Sequence, residues 1–558
     1  MVSKSPSQTL PGKVRLVSDK TQAVSVSRRI NPAYVLSAGS IMLVIVIAFL
    51  VVYRLNPPRP VAVSAPLTEF SGERAFKHLT VIAQKPHPVG SAEHAAVASY
   101  IQNELAALGL SPVVQQAPTA TNILVRLKGT TDEKAVLLVS HYDSAPLSPG
   151  ASDDGSAVAA ILETLRALKS SQALRNDVIA LFSDAEEVGT LGALAFVYQH
   201  PWAKDVGVVL NFDARGNSGP VIMFETSRNN SWLVKEFAKV APHPAANSLA
   251  PAIYDLMPNN TDLTVFKEAG FAGLNFAYIV GLKHYHTPLD NLTNIDHRSV
   301  QHQGSTALAL TRHFGNLNLT TTAQGNEVYF DVLNLKIISY SEQLVVPLAV
   351  VVSLIFVVLV AFGFKNKHLT GFGLVAGFMA VPLSVIAAVL IMIPLRWLLI
   401  AISPESILDL VLFVVITICV LLVVNAKFGR PVGISNLMAG CYIWSLIFLV
   451  LTSLFLKGGS YLFTWSLLFN LGALGFVLAR KQRENLSIKH LMSLVLGAVP
   501  GIILFVPLVY LTSVALTLGS FVALFAIAGI MVLLLGPLTP HFAVVAAIRK
   551  AFHPVPNS

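Results

Sequence analysis

Four apolar runs in this chain of 558 residues stop at side chains that can bind a cation or move a proton. Ala135–Ser140 leads into His141-Tyr142-Asp143, and Val178–Ser183 leads into Asp184-Ala185-Glu186-Glu187. Val206–Phe212 leads into Asp213, and Gly273–Val280 leads on to His284-Tyr285-His286. Between the first two lies Pro149-Gly150-Ala151-Ser152-Asp153-Asp154-Gly155-Ser156, a tight polar loop entering a helix. A carboxylate has two oxygens, so one turned inward from that loop can bridge two cations. Taken singly these features are ordinary. A His-x-Asp after a strand is commonly a hydrogen-bonded pair, Glu186-Glu187 reads as a solvated loop, and Asp153-Asp154 reads as a helix N-cap. Their joint occurrence at equivalent strand ends points instead to one metal site. His and carboxylate donors without cysteine suit zinc, with manganese or cobalt as alternatives. Two such ions about 3.5–4 Å apart lower the pKa of a shared water and clamp a tetrahedral intermediate, so the reaction class is metal-assisted hydrolysis.

For these ends to meet, the runs must be neighbouring strands pointing the same way, because an open α/β sheet binds its ligands beyond the carboxyl ends of its strands. Continuous apolar runs, rather than alternating ones, predict a largely parallel sheet covered by helices on both faces. The helices are legible between the runs. Ser91 is a plausible N-cap for a helix reaching about Leu108, with Gly109 as its stop, and Ser156–Lys169 carries a second helical pattern.

The rest of the chain has another composition. Of all residues 54% are apolar and 12% charged, with a mean hydropathy of +0.65; an ordinary soluble domain carries about a quarter charged residues. The composition argues against a wholly soluble enzyme. Residues 66–330 hold 18 Lys/Arg against 24 Asp/Glu, a net −6, which leaves +15 for everything else. The basic residues flank apolar segments, which is a topology signal and not a nucleic-acid footprint. Cys419 and Cys441 both fall inside apolar segments, so the polar stretch has neither a disulfide nor a Cys-based metal site.

A membrane span needs about 20 apolar residues. Residues 33–53 form the first, read as an uncleaved signal anchor after a basic tail over 1–32. Seven more runs follow near 343–364, 370–394, 407–425, 436–456, 460–479, 491–513 and 518–536; His541–Ile548 is too short to cross alone. The predicted order is a linker over 54–65, a catalytic domain over 66–320, a connector over 321–342, a membrane domain over 343–548 and a tail over 549–558. Lys/Arg placement puts both termini in the cytoplasm: Lys365/Lys367, Lys427/Arg430, Arg480–Lys489 and Arg549/Lys550 then lie inside, and the large domain lies outside, periplasmic or lumenal. No run after 340 carries an ionisable group in its middle, as a transporter path would need, and Glu405 and Asp409 are expected to face water near an outer edge.

In order and context, His141-Tyr142-Asp143, Gly150-Ala151-Ser152-Asp153-Asp154, Glu186-Glu187-Val188-Gly189, Asp213 and His286-Thr287-Pro288-Leu289-Asp290 resemble the zinc aminopeptidases of peptidase family M28. Pro149–Asp154, Gln199-His200-Pro201-Trp202-Ala203, Asn260-Thr261-Asp262 and Tyr329-Phe330-Asp331-Val332-Leu333 are closer to its membrane-bound branch, the endoplasmic reticulum metallopeptidase and vacuolar membrane protease type. The resemblance implies an M28-type α/β domain with a mostly parallel mixed sheet, two zinc ions and a peptide substrate, joined to an α-helical multi-span membrane domain. It also implies that Asp153 bridges both ions, that His141 and Asp213 complete one site, and that Glu187 and His286 complete the other. Glu186 takes the part of general base, and Asp143 that of the partner fixing the His141 tautomer. Neighbouring side chains on an extended segment point apart, which supports dividing the work between Glu186 and Glu187. On chemistry alone Asp154 could replace Asp153 and His284 could replace His286; the family spacing favours Asp153 and His286. Asp213 stands where branch members can carry Glu, and Ser156-Ala157 stands where Ser-Gly is common.

The expected activity is removal of N-terminal residues from peptides on the non-cytoplasmic side. Two alternatives belong to related folds: a glutaminyl-cyclase-like acyltransferase with one zinc, and a binding ectodomain without catalysis. Arg215 and Asp262 lie near the ligands and suit either substrate contact or a structural ion pair. Asn259, Asn291 and Asn318 begin N-x-T sequons.

Overall fold

The computed structural model describes residues 1, 3, 32–131, 133–320, 325–400, 407–479, 488–515 and 521–539. The N-terminal basic tail, Glu405, most of the Arg480–Lys489 cluster, the short run at His541–Ile548 and the C-terminal tail lie outside the described residues.

An apolar helix, α1 (Pro32–Arg54), precedes the α/β half. That half runs α2 (Gly72–Ile82), α3 (Ala92–Ala107), β1 (Val113–Gln116), β2 (Thr121–Leu127), β3 (Ala135–His141), α4 (Gly155–Lys169), β4 (Val178–Ser183), α5 (Leu191–Gln199) and β5 (Val206–Phe212). It continues with β6 (Ile222–Thr226), α6 (Ser231–Val240), β7 (Ala245–Ala246), α7 (Leu249–Tyr254), α8 (Asp262–Glu268), β8 (Gly273–Ala277) and α9 (His297–Phe314). The sheet order is β1-β2-β4-β3-β5-β8-β6-β7. Its four central strands, β4, β3, β5 and β8, are parallel, while β2 on one side and β6 on the other run antiparallel to them. The four runs that end in acids or imidazoles are therefore adjacent, with their carboxyl ends on one edge.

The burial of β3 shows why the runs are unbroken. Every residue of Ala135–His141 is buried. Val136 and Leu138 belong to the core cluster under α4 and α9 on one face, while Ala135, Leu137 and Val139 belong to the cluster with Leu263 and Phe266 of α8 and Ala193 and Phe196 of α5 on the other. With helices on both faces, neither set of alternate residues meets water. The predicted helix caps are also present. The Ser91 hydroxyl accepts from His94 N–H, and Gly109 takes φ +69°, a left-handed conformation that suits glycine where a helix stops.

A hairpin of β9 (Glu327–Val332) and β10 (Lys336–Ser341) occupies the predicted connector. Beyond it come α10 (Val345–Lys365), α11 (Gly371–Ile400), α12 (Ile407–Val432), α13 (Ile434–Phe455), α14 (Ser460–Leu478), α15 (Ile488–Ala515) and α16 (Phe521–Leu535). Among the described residues six helices, α10 to α15, are long and apolar enough to cross a membrane; the apolar stretches Ala38–Arg54 and Val522–Leu535 are shorter. The hairpin ties the halves together: Phe330 stacks on Tyr461 at 4.8 Å, within a cluster that includes Val328, Val345, Leu462 and Phe505.

One expectation about the bundle is corrected. Asp409 does not face water; it is 2% exposed and accepts from Arg396 Nη1 at 3.2 Å. A carboxylate near the end of an apolar helix escapes the low dielectric either by reaching water or by pairing, and here α11 supplies the cation.

Candidate metal centre

His141 ends β3, Asp213 follows β5, Glu186 and Glu187 lie in the turn after β4, and His286 follows β8 beyond a short 3-10 turn. Asp153 comes from the loop before α4. Gly150 takes φ +65° there, and a Cβ on it would lie 2.9 Å from Asp153 O, so the loop folds back tightly only because this residue has no side chain. The Asp153–Asp154 peptide is cis.

Two triads result. His141, Asp153 and Asp213 offer ligand atoms within 4.8 Å of one another, and so do Asp153, Glu187 and His286. The Asp153 carboxylate belongs to both, with Oδ1 3.1 Å from His141 Nε2 and Oδ2 3.1 Å from His286 Nε2. His286 Nε2 is also 3.0 Å from Glu187 Oε2. All five residues expected as ligands are thus brought together. Of the alternatives left open by chemistry, Asp154 points its Oδ2 at His141 N–H (3.2 Å), and His284 lies in neither triad. Asp154 holds the N-cap position of α4 without a capping bond from its side chain.

The electrostatics are those of a crowded acidic pocket. Burial, then Asp153, pushes Asp213 up to about 7. Burial also holds Glu186 well above the usual carboxylate range, with Asp213, Asp262 and Asp153 adding to it and His141 opposing. Asp153 goes the other way: burial would raise it, but His141 and His286 bring it down to about 2. Burial disfavours charge on His141, yet Asp143 and Asp153 hold it well above the ordinary imidazole value. So many carboxylates at close range call for added positive charge, which a divalent ion supplies. The donor set fits zinc, being all nitrogen and oxygen, and Glu187 Oε1 is buried without a hydrogen-bond partner among the described residues.

The residues behind the triads are partly as expected. His141 Nδ1 bonds the Asp143 backbone carbonyl at 3.0 Å, while the Asp143 carboxylate stands at 3.4 Å. That carboxylate accepts instead from the backbone N–H groups of Glu186 (3.1 Å) and Glu187 (3.2 Å), so Asp143 positions the turn as well as the imidazole. The Glu186–Glu187 segment is a turn rather than an extended stretch, entered through Ala185 at φ +58°. The alternation of an extended strand therefore does not apply to them; Glu187 enters a triad and Glu186 does not.

Two positioning residues escaped the sequence reading. Asp290 accepts from Ser152 N–H (2.8 Å) and Asp153 N–H (3.1 Å), which anchors the loop carrying the shared carboxylate. Gln303 of α9 donates to the Asp213 carbonyl at 3.1 Å. Asp290 was visible in the Thr-Pro-x-Asp string, but nothing local says which backbone it holds; Gln303 carries no signal. Asp262 begins α8 and accepts from the Ser183 hydroxyl. Burial pushes it up to about 6.

Residues 122–311 match the family model described as peptidase family M28. Endoplasmic reticulum metallopeptidase 1 of Homo sapiens is 36% identical over 233 residues, 40% of this chain and 26% of that protein. The vacuolar membrane protease of Candida tropicalis is 32% identical over 298 residues, 49% of this chain and 32% of that protein. The matched region thus spans a third or less of these curated relatives. Among solved structures, the aminopeptidase from Aneurinibacillus sp. strain AM-1 covers 47% of this chain and 98% of its own, at 13% identity and a TM-score of 0.39. The Porphyromonas gingivalis glutaminyl cyclase covers 43% and 98%, at 21% identity and a TM-score of 0.36. Residues 122–311, which carry His141, Asp153, Glu186, Glu187, Asp213 and His286, are a peptidase family M28 domain, on a chain whose described residues include six helices long and apolar enough to cross a membrane.

Proposed function

We propose that this chain is a membrane-anchored exopeptidase with two zinc ions, which removes N-terminal residues from peptides on the non-cytoplasmic side. The observation that carries the reading is the pair of triads sharing Asp153. A single carboxylate with one imidazole on each oxygen is what a two-ion site requires. His141, Asp153 and Asp213 would hold one ion, and Asp153, Glu187 and His286 the other. Bound there, the ions would supply Lewis acidity, lowering the pKa of water and polarising the substrate carbonyl.

The protein's own groups do the rest. Glu186, half-buried among acids and with a raised pKa, suits a general base that takes a proton from the attacking water and returns it to the leaving amine. Asp143 fixes both the His141 ring and the Glu186–Glu187 turn. Asp290 holds the Asp153 loop from behind. The side of the membrane follows from basic residues clustered at one set of helix ends, including Lys365, Lys367 and Lys427.

The test is Glu186→Gln in the full chain. It should keep both metals by elemental analysis yet lose roughly 10²–10⁴-fold in turnover of an aminoacyl-anilide, the usual share of a general base. Near-normal turnover would remove Glu186 from that role. One ion per chain with pyroglutamate formation would replace the peptidase reading by a cyclase.

A further inference from the structure

We propose that Arg215 recognises a carboxylate of the substrate on the leaving-group side of the scissile bond, so that the preferred substrates are short or acidic peptides. This rests on the peptidase reading above and adds the substrate class.

Arg215 lies two residues beyond Asp213, where its backbone N–H donates to the Tyr278 carbonyl at 3.0 Å. Its guanidinium carbon stands 5.7 Å from the centroid of the Tyr285 ring. That ring is stacked on His286, with centroids 3.7 Å apart. One aromatic side chain thus separates the cation from an imidazole of the metal site. The Asn259 amide, turned to present its oxygen, accepts from Arg215 Nη2 at 3.0 Å and from Nη1. Arg215 Nε is buried without a hydrogen-bond partner among the described residues.

The guanidinium has five N–H donors and no way to discharge. Charged side chains taken wholly out of water are almost always paired, and part of this one, Nε, is buried. Here the contacts are a neutral amide and an aromatic face, which fix the group in place and leave its charge unbalanced. Asp153 and Glu187 pair with His141 and His286, and no acid among the described residues forms a salt bridge with Arg215. A planar fork held rigid and short of an anion matches a carboxylate in bidentate geometry.

The reach is right for the residues just past the bond. An extended peptide advances about 3.3–3.6 Å per residue. With the scissile carbonyl at the metal site, a carboxylate one or two residues further on spans the distance across the Tyr285 ring. A dipeptide or tripeptide presents its C-terminal carboxylate there, and a longer peptide presents an Asp or Glu side chain.

The experiment measures binding and turnover separately, on the full chain in detergent with zinc. The first probe pair is an alanyl-alanine in which a methylene-amine replaces the scissile amide, as the free acid and as the C-terminal carboxamide. The second pair has the same replacement with Glu or Gln after it, both as carboxamides. Calorimetry should show the acid of a pair binding roughly tenfold to a hundredfold tighter than its neutral partner, the range of a charge-assisted hydrogen bond. Arg215→Met should bring that ratio to about one, and Arg215→Lys should restore part of it. Preference in the first pair alone identifies the C-terminal carboxylate as the source; preference in the second identifies the side chain. Equal binding of acid and neutral partner in both pairs, or a preference that survives Arg215→Met, overturns the proposal. Retained acid preference in a protein that hydrolyses no aminoacyl-anilide would sink the peptidase reading while leaving Arg215 as a carboxylate site.

Discussion

The two halves of the molecule bury polar groups for different ends. In the α/β half, side chains from neighbouring strand ends and the loop before α4 converge, and the two triads set three carboxylates, Asp153, Glu187 and Asp213, against two imidazoles. In the helical half, the buried charges pair off: Arg396 with Asp409 at 3.2 Å, both under a tenth exposed. Some neutral groups there pair as well, Asn425 with Thr539 (2.6 Å) and Tyr442 with Asn470 (3.3 Å), while Ser453 Oγ, Ser466 Oγ and Trp465 Nε1 are buried without a partner among the described residues. A buried polar group that already has its partner stabilises a fold, whereas a cluster of like charges without one is waiting for a ligand. The difference places the candidate metal centre in the first half.

The most severe way to test this contrast is Asp153→Ala. Both triads lose their common member at once, so metal content should fall at both positions and turnover should drop to background. Elemental analysis beside the anilide assay checks it; one fully retained ion would mean that Asp153 is not shared. Arg396→Ala works on the opposite half. Removing one partner of a buried pair costs about 3–5 kcal/mol because the other is left charged and unpaired. The expected result is a lower thermal midpoint for the full chain, with kcat and metal content per folded molecule unchanged. A fall in kcat without loss of stability would show that the bundle takes part in the reaction.

What could be read from the chain alone follows the same division. The central strands were legible to within a residue at most ends, because β3, β4 and β5 are runs buried on both faces that stop at a titratable residue; β4 and β5 begin and end as predicted, while β8 stops at Ala277, three residues before the apolar run does. The five residues expected as ligands could be named because each lies in a polar segment that follows one of the central runs, and family spacing chose Asp153 over Asp154 and His286 over His284. The local shape at Glu186–Glu187 was not, since it depends on Ala185 adopting φ +58° under the hold of Asp143, a contact between segments. Asp290 and Gln303 were missed for the same reason: they act on backbone atoms far along the chain. Arg396 and Asp409 looked like two loop-edge charges because hydropathy shows where a helix crosses but not which helix stands beside it.

A smaller effect separates the halves by acid. His302 on α9 is 1% exposed, accepts from Val221 N–H through Nδ1 (3.1 Å) and stands 3.0 Å from the His243 carbonyl through Nε2. Burial, with His243 adding to it, brings its pKa down to about 4 from 6.5. The unfolded chain therefore binds a proton at this position between about pH 6.5 and 4 while the folded chain does not. Stability rises with pH wherever the unfolded state holds more protons. The contribution of His302 is thus fully present above pH 6.5, shrinks as the pH falls below that, and levels off below about 4. At one pKa unit per 1.36 kcal/mol the whole window is worth about 3 kcal/mol. Replacing His302 by Gln, which does not titrate, should lower stability at pH 7 yet flatten its decline across this window. The check is the thermal midpoint of both proteins at half-unit steps from pH 7.5 to 4. Parallel curves would mean that His302 is protonated in the fold. That outcome would place an unmatched charge in the core of the α/β half, where the contrast with the helical half says only the metal site should hold one.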